Sequence, residues 1–301
     1  MASLTAPTSA RPAEKHRAAP APDSPARRKR RGGLVMTAVV AVAAFLWFSP
    51  LIVLLLTAVR TASDFASHGT LAMPHDWTLS NFGDAWRIGK FSTTYRNSLL
   101  ITVVKVPLGV LLSALLAYAL AKLELRFRRA VMFFVFLGLT VPIYIAIVPL
   151  FTMLRDAGLT DSLWGLLPPY LAFGLPFTTL VLQQFFRRIP DELIEAARMD
   201  GAGNFRIFWQ FVLPLSLPAL VTVTVLDAVA TWNELLMSLI ILSSPEKSTI
   251  PLGMLGFSGT FTTNYTGLSA GILIAVVPIL VLYALLQRWI VGGLTAGSVK
   301  G

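Results

Sequence analysis

Among the ionisable or amide side chains inside otherwise apolar stretches of the chain are Lys105, Asp227, Asn233 and Glu234. If those stretches lie in lipid, each is costly, and each marks a place where the chain needs charge or hydrogen bonding. Trp232 stands directly before Asn233 and Glu234. An indole face beside an amide and a carboxylate can hold a polyhydroxylated solute, the ring stacking and the polar groups bonding hydroxyls. The same trio can equally pin one helix to another. The residues leave both readings open for Trp232, Asn233 and Glu234. Lys105 is read as snorkelling its ammonium toward the interface, with a cavity lining as the alternative. Asp227 is read as a hydrogen bond to a neighbouring helix.

Other chemistries are excluded by what is missing. There is no cysteine, which removes disulfides, thiolate metal sites and a cysteine nucleophile. The histidines are His16, His68 and His75, none in an apolar run, so a buried imidazole metal centre is not expected. The string GDAWRIGKF approximates a phosphate-binding loop. It places five residues between Gly83 and Gly89 instead of the four that GxxxxGK[ST] requires, and Phe91 stands where a hydroxyl should meet magnesium. No cofactor is therefore expected on this chain. No histidine pair, metal motif or nucleophile elbow supports an intramembrane enzyme.

The elements that must position these residues are apolar. The chain has 301 residues, 55% hydrophobic and 13% charged. A soluble domain carries about 25% charged residues, so the composition points to lipid as solvent. Six stretches reach the roughly 20 helical residues that cross a bilayer: Leu34–Val59, Ser98–Ala121, Ala130–Leu154, Leu163–Phe186, Ala219–Leu242 and Gly267–Ile290. The first follows RRKRR (Arg27–Arg31) and exceeds the length of a secretory h-region, so it reads as a retained span. The expected fold class is an all-α membrane protein with six transmembrane helices. Its divisions are a disordered basic tail over 1–33, a six-span domain over 34–292 with a polar loop at 187–218, and a flexible tail over 293–301.

Orientation follows from Lys and Arg. With both termini inside, the inner segments hold 18 of them and the outer loops 6, which selects cytoplasmic termini. The net charge of +10 is thus a topology signal that also suits anionic lipid, and no nucleic-acid partner is expected. The longest outer loop, Arg60–Arg96, carries Trp77, Phe82, Trp86 and Phe91 and is expected to lie at the interface or over the bundle mouth. Ser113, Ala117 and Ala121 repeat at a spacing of four, which lets a second helix approach closely.

The polar loop between the fourth and fifth stretches reads as two short helices. Pro190 suits a first helical turn, and Asp191 and Glu192 complement its positive end. Leu193, Ala196, Ala197 and Asp200 share one shallow face, and Gly201 can take positive φ and stop the helix. Phe205, Phe208, Trp209 and Val212 are expected to form the apolar face of the second helix, after which Pro214 and Pro218 bend the chain toward the membrane. Local physics leaves two roles open: a docking surface for another protein, or an amphipathic connector resting on headgroups.

The string EAARMDGAGNFRIFWQFVLPLSLPAL resembles the EAA loop of ABC importer permeases, written EAA-x3-G-x9-I-x-LP. Glu195, Ala196, Ala197, Gly201, Leu213 and Pro214 match it, and Phe211 stands in place of the isoleucine. PHDWTLSNF, NSLL at Asn97, PYLAFGLPF, TWNELL and the terminal GLTAGSVKG resemble sugar-uptake permeases of the maltose and glycerol-3-phosphate type, in particular the smaller of the two permeases.

The resemblance implies a multi-pass subunit of a bacterial cytoplasmic (inner) membrane. It implies a second homologous permease, two ATPase subunits carrying ATP and magnesium, and an extracytoplasmic sugar-binding protein. Leu193, Glu195, Ala196, Ala197, Asp200, Gly201, Ala202, Leu213 and Pro214 would couple this chain to an ATPase through a cytoplasmic coupling helix. In such families the terminal tail reaches into the ATPase dimer, and sugar contacts fall largely on the larger permease. The alternative is an ABC permease for a non-sugar solute such as phosphate, a polyamine or an amino acid. A stand-alone secondary transporter is disfavoured by the absence of an internal repeat.

Overall fold

A computed structural model describes residues 25–259 and 263–295, with side chains over 36–259 and 263–287. The chain divides into two units, Met1–Ile52 and Val53–Gly301. The expected N-terminal tail up to residue 24 and the C-terminal tail from residue 296 lie outside the described residues. Lipid offers no partner to backbone N–H and C=O groups, so a spanning segment must bond internally. Accordingly, regular structure among the described residues is helical apart from two isolated β-bridges.

Helix α1 (Pro25–Ala58) begins inside the expected basic tail and includes Arg27–Arg31. Arg and Lys are good helix formers, and no proline follows Pro25 until Pro50. Two short helices follow, α2 (Ala62–His68) and α3 (Ser80–Ile88). The second span is α4 (Phe91–Lys122), longer at its start than the apolar run because Phe91 and the mostly polar Ser92–Asn97 continue the helix.

The third span is not one straight helix. It breaks into α5 (Arg128–Thr140) and α6 (Ile143–Asp156), bent by 101°. Pro142 forces Val141 into extended backbone, and the helix ends there. The fourth span is a 3₁₀ turn, Leu163–Leu166, running into α7 (Leu167–Arg187). Next come α8 (Asp191–Met199), α9 (Asn204–Ile207), a π-helical segment at Phe208–Val212, and α10 (Leu213–Leu215). The fifth span, α11 (Leu217–Trp232), leaves this segment at 79°. It does not continue to Leu242 as expected: it stops at Asn233, and α12 (Leu236–Ile241) resumes. After α13 (Ile250–Met254), the last span is α14 (Tyr265–Thr295).

Among the described residues, four helices are long and apolar enough to cross a membrane, or up to six if each bent pair is one span. The most extensive helix pair is α4 with α7. Ser113 and Ala117 are fully buried in it, as their spacing anticipated. One core joins Val110, Ala114 and Tyr118 of α4 to Leu182 and Phe186 of α7 and to Val223 of α11. A second core gathers Ala58, Ala85, Phe91, Trp232, Phe257 and Ala270, so the long loop between α1 and α4 is packed through α3 onto α14. Of its aromatics, Phe91 is buried and Trp77 is exposed.

Candidate functional site

Lys105 on α4 and Asp227 on α11 meet in a buried ion pair. Lys105 is 3% exposed, so the snorkelling reading is wrong: the ammonium has a partner inside the bundle and does not travel to the interface. Small residues make room for the pair. A Cβ at Gly174 of α7 would come within 2.9 Å of the Lys105 Nζ and 3.1 Å of Asp227 Oδ1. One at Gly109 of α4 would stand 3.5 Å from Asp227 Oδ2. Gly174, on α7, thus leaves room for a charged bridge between α4 and α11.

Beside the pair is a second polar link. The Tyr170 hydroxyl of α7 donates to Glu234 Oε2 at 2.7 Å and lies 3.0 Å from Ser238 Oγ. Glu234 also receives the backbone N–H of Met237 at 2.8 Å and of Ser238 at 3.3 Å, which are free donors at the start of α12. The carboxylate therefore holds the broken fifth span together and ties it to α7. Lys105, Tyr170, Gly174, Asp227 and Glu234 line one cavity of about 160 Å³.

The other two members of the sequence trio point elsewhere. Trp232 is 4% exposed, and its indole N–H donates to the Ala275 carbonyl of α14 at 3.1 Å. It ends a chain of rings formed with Trp86, Phe91 and Tyr95, the last contact being 5.9 Å between centroids. Its packing is that of a helix anchor. Asn233 is exposed; its amide donates to Val229 of its own helix at 2.9 Å. Asn233 borders a groove of about 470 Å³ between α11, α13 and α14. The structure thus separates Trp232 and Asn233 from Glu234, which adjacency in sequence had joined. Tyr170 was missed as a partner. It sits in the PYLAFGLPF string, but no spacing rule links it to a carboxylate over sixty residues on.

The polar segment between α7 and α11 forms the expected helix–turn–helix. Gly201 takes φ +79 and closes α8. Its N–H bonds to Arg198 at 2.9 Å and that of Ala202 to Ala197 at 3.0 Å, the paired bonds of a left-handed C-terminal cap. The two adjacent alanines do not share a surface. Ala196 is exposed with Leu193, Glu195 and Asp200, whereas Ala197 and Ala202 are buried with Ile194 against the core of α4 and α7. The apolar face assigned to the second helix is also divided. Phe208 and Val212 are buried with Ile207, while Phe205 and Trp209 are exposed edge to face at 6.0 Å. The π segment accounts for the shift, because the extra residue per turn moves the 3.6-residue register. Leu213 is half-buried and Pro214 exposed, just before the 79° bend.

A salt link fixes α8 at its other end. Lys122, the last residue of α4, donates to Asp191 Oδ1 at 2.6 Å and to the Ile189 carbonyl at 2.5 Å. The Lys122 ammonium, by hydrogen bond and then by charge, holds the Asp191 carboxyl below the usual carboxylate range. The helix is thus tethered to the spans by a buried apolar face and by one ion pair.

Comparison with known proteins places this geometry. The family described as "Binding-protein-dependent transport system inner membrane component" matches residues 109–295, which include α8, the Tyr170–Glu234 link and Asp227. A diacetylchitobiose uptake system permease of Streptomyces coelicolor is 32% identical over 89% of this chain and 87% of its own length. A trehalose transport system permease of Mycobacterium tuberculosis is 36% identical over 76% of this chain and 84% of its own. Among solved structures, a bacterial ABC transporter involved in the import of the acidic polysaccharide alginate superposes with a TM-score of 0.73. It is 25% identical and covers 88% of this chain and 98% of that one.

The ion pair makes a direct prediction. Lys105→Met leaves Asp227 buried without a partner and should destabilise the protein by about 3–5 kcal/mol. Lys105→Met combined with Asp227→Leu should recover most of that loss, because no charge is stranded. Thermal unfolding of the purified protein in detergent reads both. A single variant that unfolds at the wild-type temperature would show that the two groups are not paired in the bundle.

Proposed function

The chain belongs to the family of binding-protein-dependent transport system inner membrane components, and from that premise we propose that it is a permease subunit of an ABC importer for a sugar or sugar derivative. It is a membrane subunit and not itself an enzyme. With a second, homologous permease it forms the translocation pathway. Two separate ATPase subunits bind ATP and magnesium, and an extracytoplasmic sugar-binding protein delivers the solute. The relatives named for diacetylchitobiose and trehalose support a sugar over phosphate, polyamine or amino acid.

The observation that carries the coupling role is α8, a short exposed helix tied to α4 and α7, at the place where the EAA string falls. Its outward side presents Leu193, Glu195, Ala196, Asp200 and Gly201, and with them Met199, 89% exposed, and Phe205, 72% exposed. Large apolar side chains left in the open on a polar loop suit burial against another protein. The inward side, with Ala197 and Ala202, belongs to the permease core. ATP binding closes the ATPase dimer. The pull reaches the spans because α8 cannot move without the core it is packed on. The bias of Lys and Arg supports cytoplasmic termini and a cytoplasmic α8. Trp232, Asn233 and Glu234 remain the candidates for the pathway. Asn233 is the exposed one, on a groove that Trp232 also borders, and Glu234 acts by holding α12 in place.

Three measurements test this reading. Reconstituted with its partners, the transporter should hydrolyse ATP faster when its binding protein carries a sugar. Stimulation by phosphate, a polyamine or an amino acid and by no sugar would remove the sugar assignment. A reporter fused after Gly301 should behave as cytoplasmic and one inserted at Gly69 as external; the reverse pattern would invert the topology. At the coupling surface, Met199→Asp puts a charge where a contact is apolar and should reduce ATPase co-purification at least about tenfold, the equivalent of 1.4 kcal/mol, with thermal stability unchanged. Gly201→Val should do the same and also loosen α8, because a β-branched residue resists positive φ. Full uptake and a full complement of ATPase in Met199→Asp would mean that α8 rests on headgroups.

A further inference from the structure

Outside the bundle, the loop between α1 and α3 gathers both described histidines onto one buried carboxylate. Asp64 and His68 are one turn apart on α2, and the chain returns through Gly69 at φ +76 to bring His75 alongside. The Nδ1 of His68 lies 2.8 Å from Asp64 Oδ1, and that of His75 lies 3.5 Å from it. All three ligand atoms lie within 4.8 Å of one another. With metal–ligand bonds of about 2.0–2.1 Å, neighbouring donors of a tetrahedral zinc ion stand roughly 3.3 Å apart. The two Oδ1 separations bracket that value.

The carboxylate is divided in its duties. Oδ2 accepts from Arg60 Nε at 2.9 Å and from the His75 N–H at 3.2 Å. Oδ1 is buried and accepts no hydrogen bond of good geometry, although His68 is close to it. A buried carboxylate oxygen without a hydrogen bond is uncommon in a folded protein and asks for an explanation, an ion among them. The surrounding loop is built to hold it there. Arg60, itself fully buried, donates to the carbonyls of Asp64, Gly69 and Ala72 at 3.1, 2.9 and 3.1 Å, so the backbone from α2 to residue 72 is wrapped on one guanidinium. Asn81 of α3 closes the other side, donating to the Ala58 and Arg60 carbonyls at 2.8 Å each. The imidazoles stack at 4.2 Å with their outer sides open, His68 at 45% and His75 at 62% exposed.

We propose that Asp64, His68 and His75 form a three-donor site for a divalent late first-row transition ion such as zinc, with a fourth position open to water. Two imidazoles and one carboxylate suit zinc and its neighbours, whereas magnesium and calcium take oxygen donors. Arg60 acts from the far side of the carboxylate: it orients Oδ1, as a second hydrogen-bond partner commonly does for a ligating group. Because it shares the negative charge, the site is weaker than one with an unshared carboxylate. Occupancy staples the return segment to α2 and stiffens the loop that packs through α3 onto α14. The competing account is a plain hydrogen bond: His68 Nδ1 also lies 3.2 Å from the Asp64 main-chain carbonyl and, carrying a proton, donates to Asp64.

The test uses the full chain in nanodiscs, free of any histidine tag, with zinc and cobalt salts as probes. Calorimetric titration should give one zinc per chain. Cobalt(II) should show the visible absorption of a low-coordinate site with nitrogen and oxygen donors. His68→Ala combined with His75→Ala should abolish both signals. The variant should unfold near the wild-type temperature when no metal is added, since the two rings are 45% and 62% exposed. Absence of zinc binding by the wild type, or binding by the double variant equal to wild type, overturns the site and leaves the hydrogen-bonded account. The readout is metal on this chain, so its failure says nothing about the transport assignment, and failure of that assignment leaves it standing.

Discussion

Most of this chain sits where water is absent, so any backbone group that leaves a helix there must find its partner in the protein. The two interruptions of the spans meet this demand differently. At the first, Pro142 has no N–H to satisfy, and Val141 still donates to Leu137 at 3.2 Å. The break thus strands little, and a bend of 101° follows from a single residue. At the second, no proline is present. Asn233 still donates to Val229 at 3.1 Å, and the free donors of α12 turn to the Glu234 carboxylate. A carboxylate at this depth is costly, and its charge is dispersed over two backbone amides and the Tyr170 hydroxyl. That second break exists because a side chain was there to accept it.

The same shortage of water shapes the contact of α4, α7 and α11. Apolar side chains gain little by leaving lipid for one another, so close packing and polar links must hold the helices together. Ser113 and Ala117 are buried where α4 meets α7, and Gly174 leaves the room that the Lys105–Asp227 pair occupies. The ion pair and the Tyr170–Glu234 link then cross the interface on the wall of one small cavity. A pair of this kind adds less stability than it removes when broken, because desolvation offsets much of the attraction. Its effect is to hold three spans in one register.

Register is what a coupling element needs. Helix α8 adds its inward face to the core that α4 and α7 share, and Lys122 links the end of α4 to its first residue. A force on the outward face is therefore delivered to the two spans with the closest contact. Under the proposed coupling role, that is the route from ATPase to cavity. The loop that carries Asp64, His68 and His75 is built on a different principle. There, one buried guanidinium gathers backbone carbonyls, as it can only where the chain has left the bundle for an irregular path.

Apolar runs of bilayer length, the glycine that closes α8 and the EAA string were all legible in the sequence, because each acts through its immediate neighbours. They determined the helical membrane class, the helix–turn–helix and the family resemblance, while the expected six spans stand as four to six. Partnership was not legible. Lys105 and Asp227 are 122 positions apart, Tyr170 and Glu234 are 64 apart, and no local period relates them. The assignment of Ala197 inward and Ala196 outward rests on which side of α8 meets the core, and the division of Phe205 from Phe208 on a π segment that breaks the expected period. The break at Asn233 had no proline or glycine to announce it. Only the tertiary structure decided these, since a side chain in a dry interior takes its role from the group that faces it, and that group comes from another span.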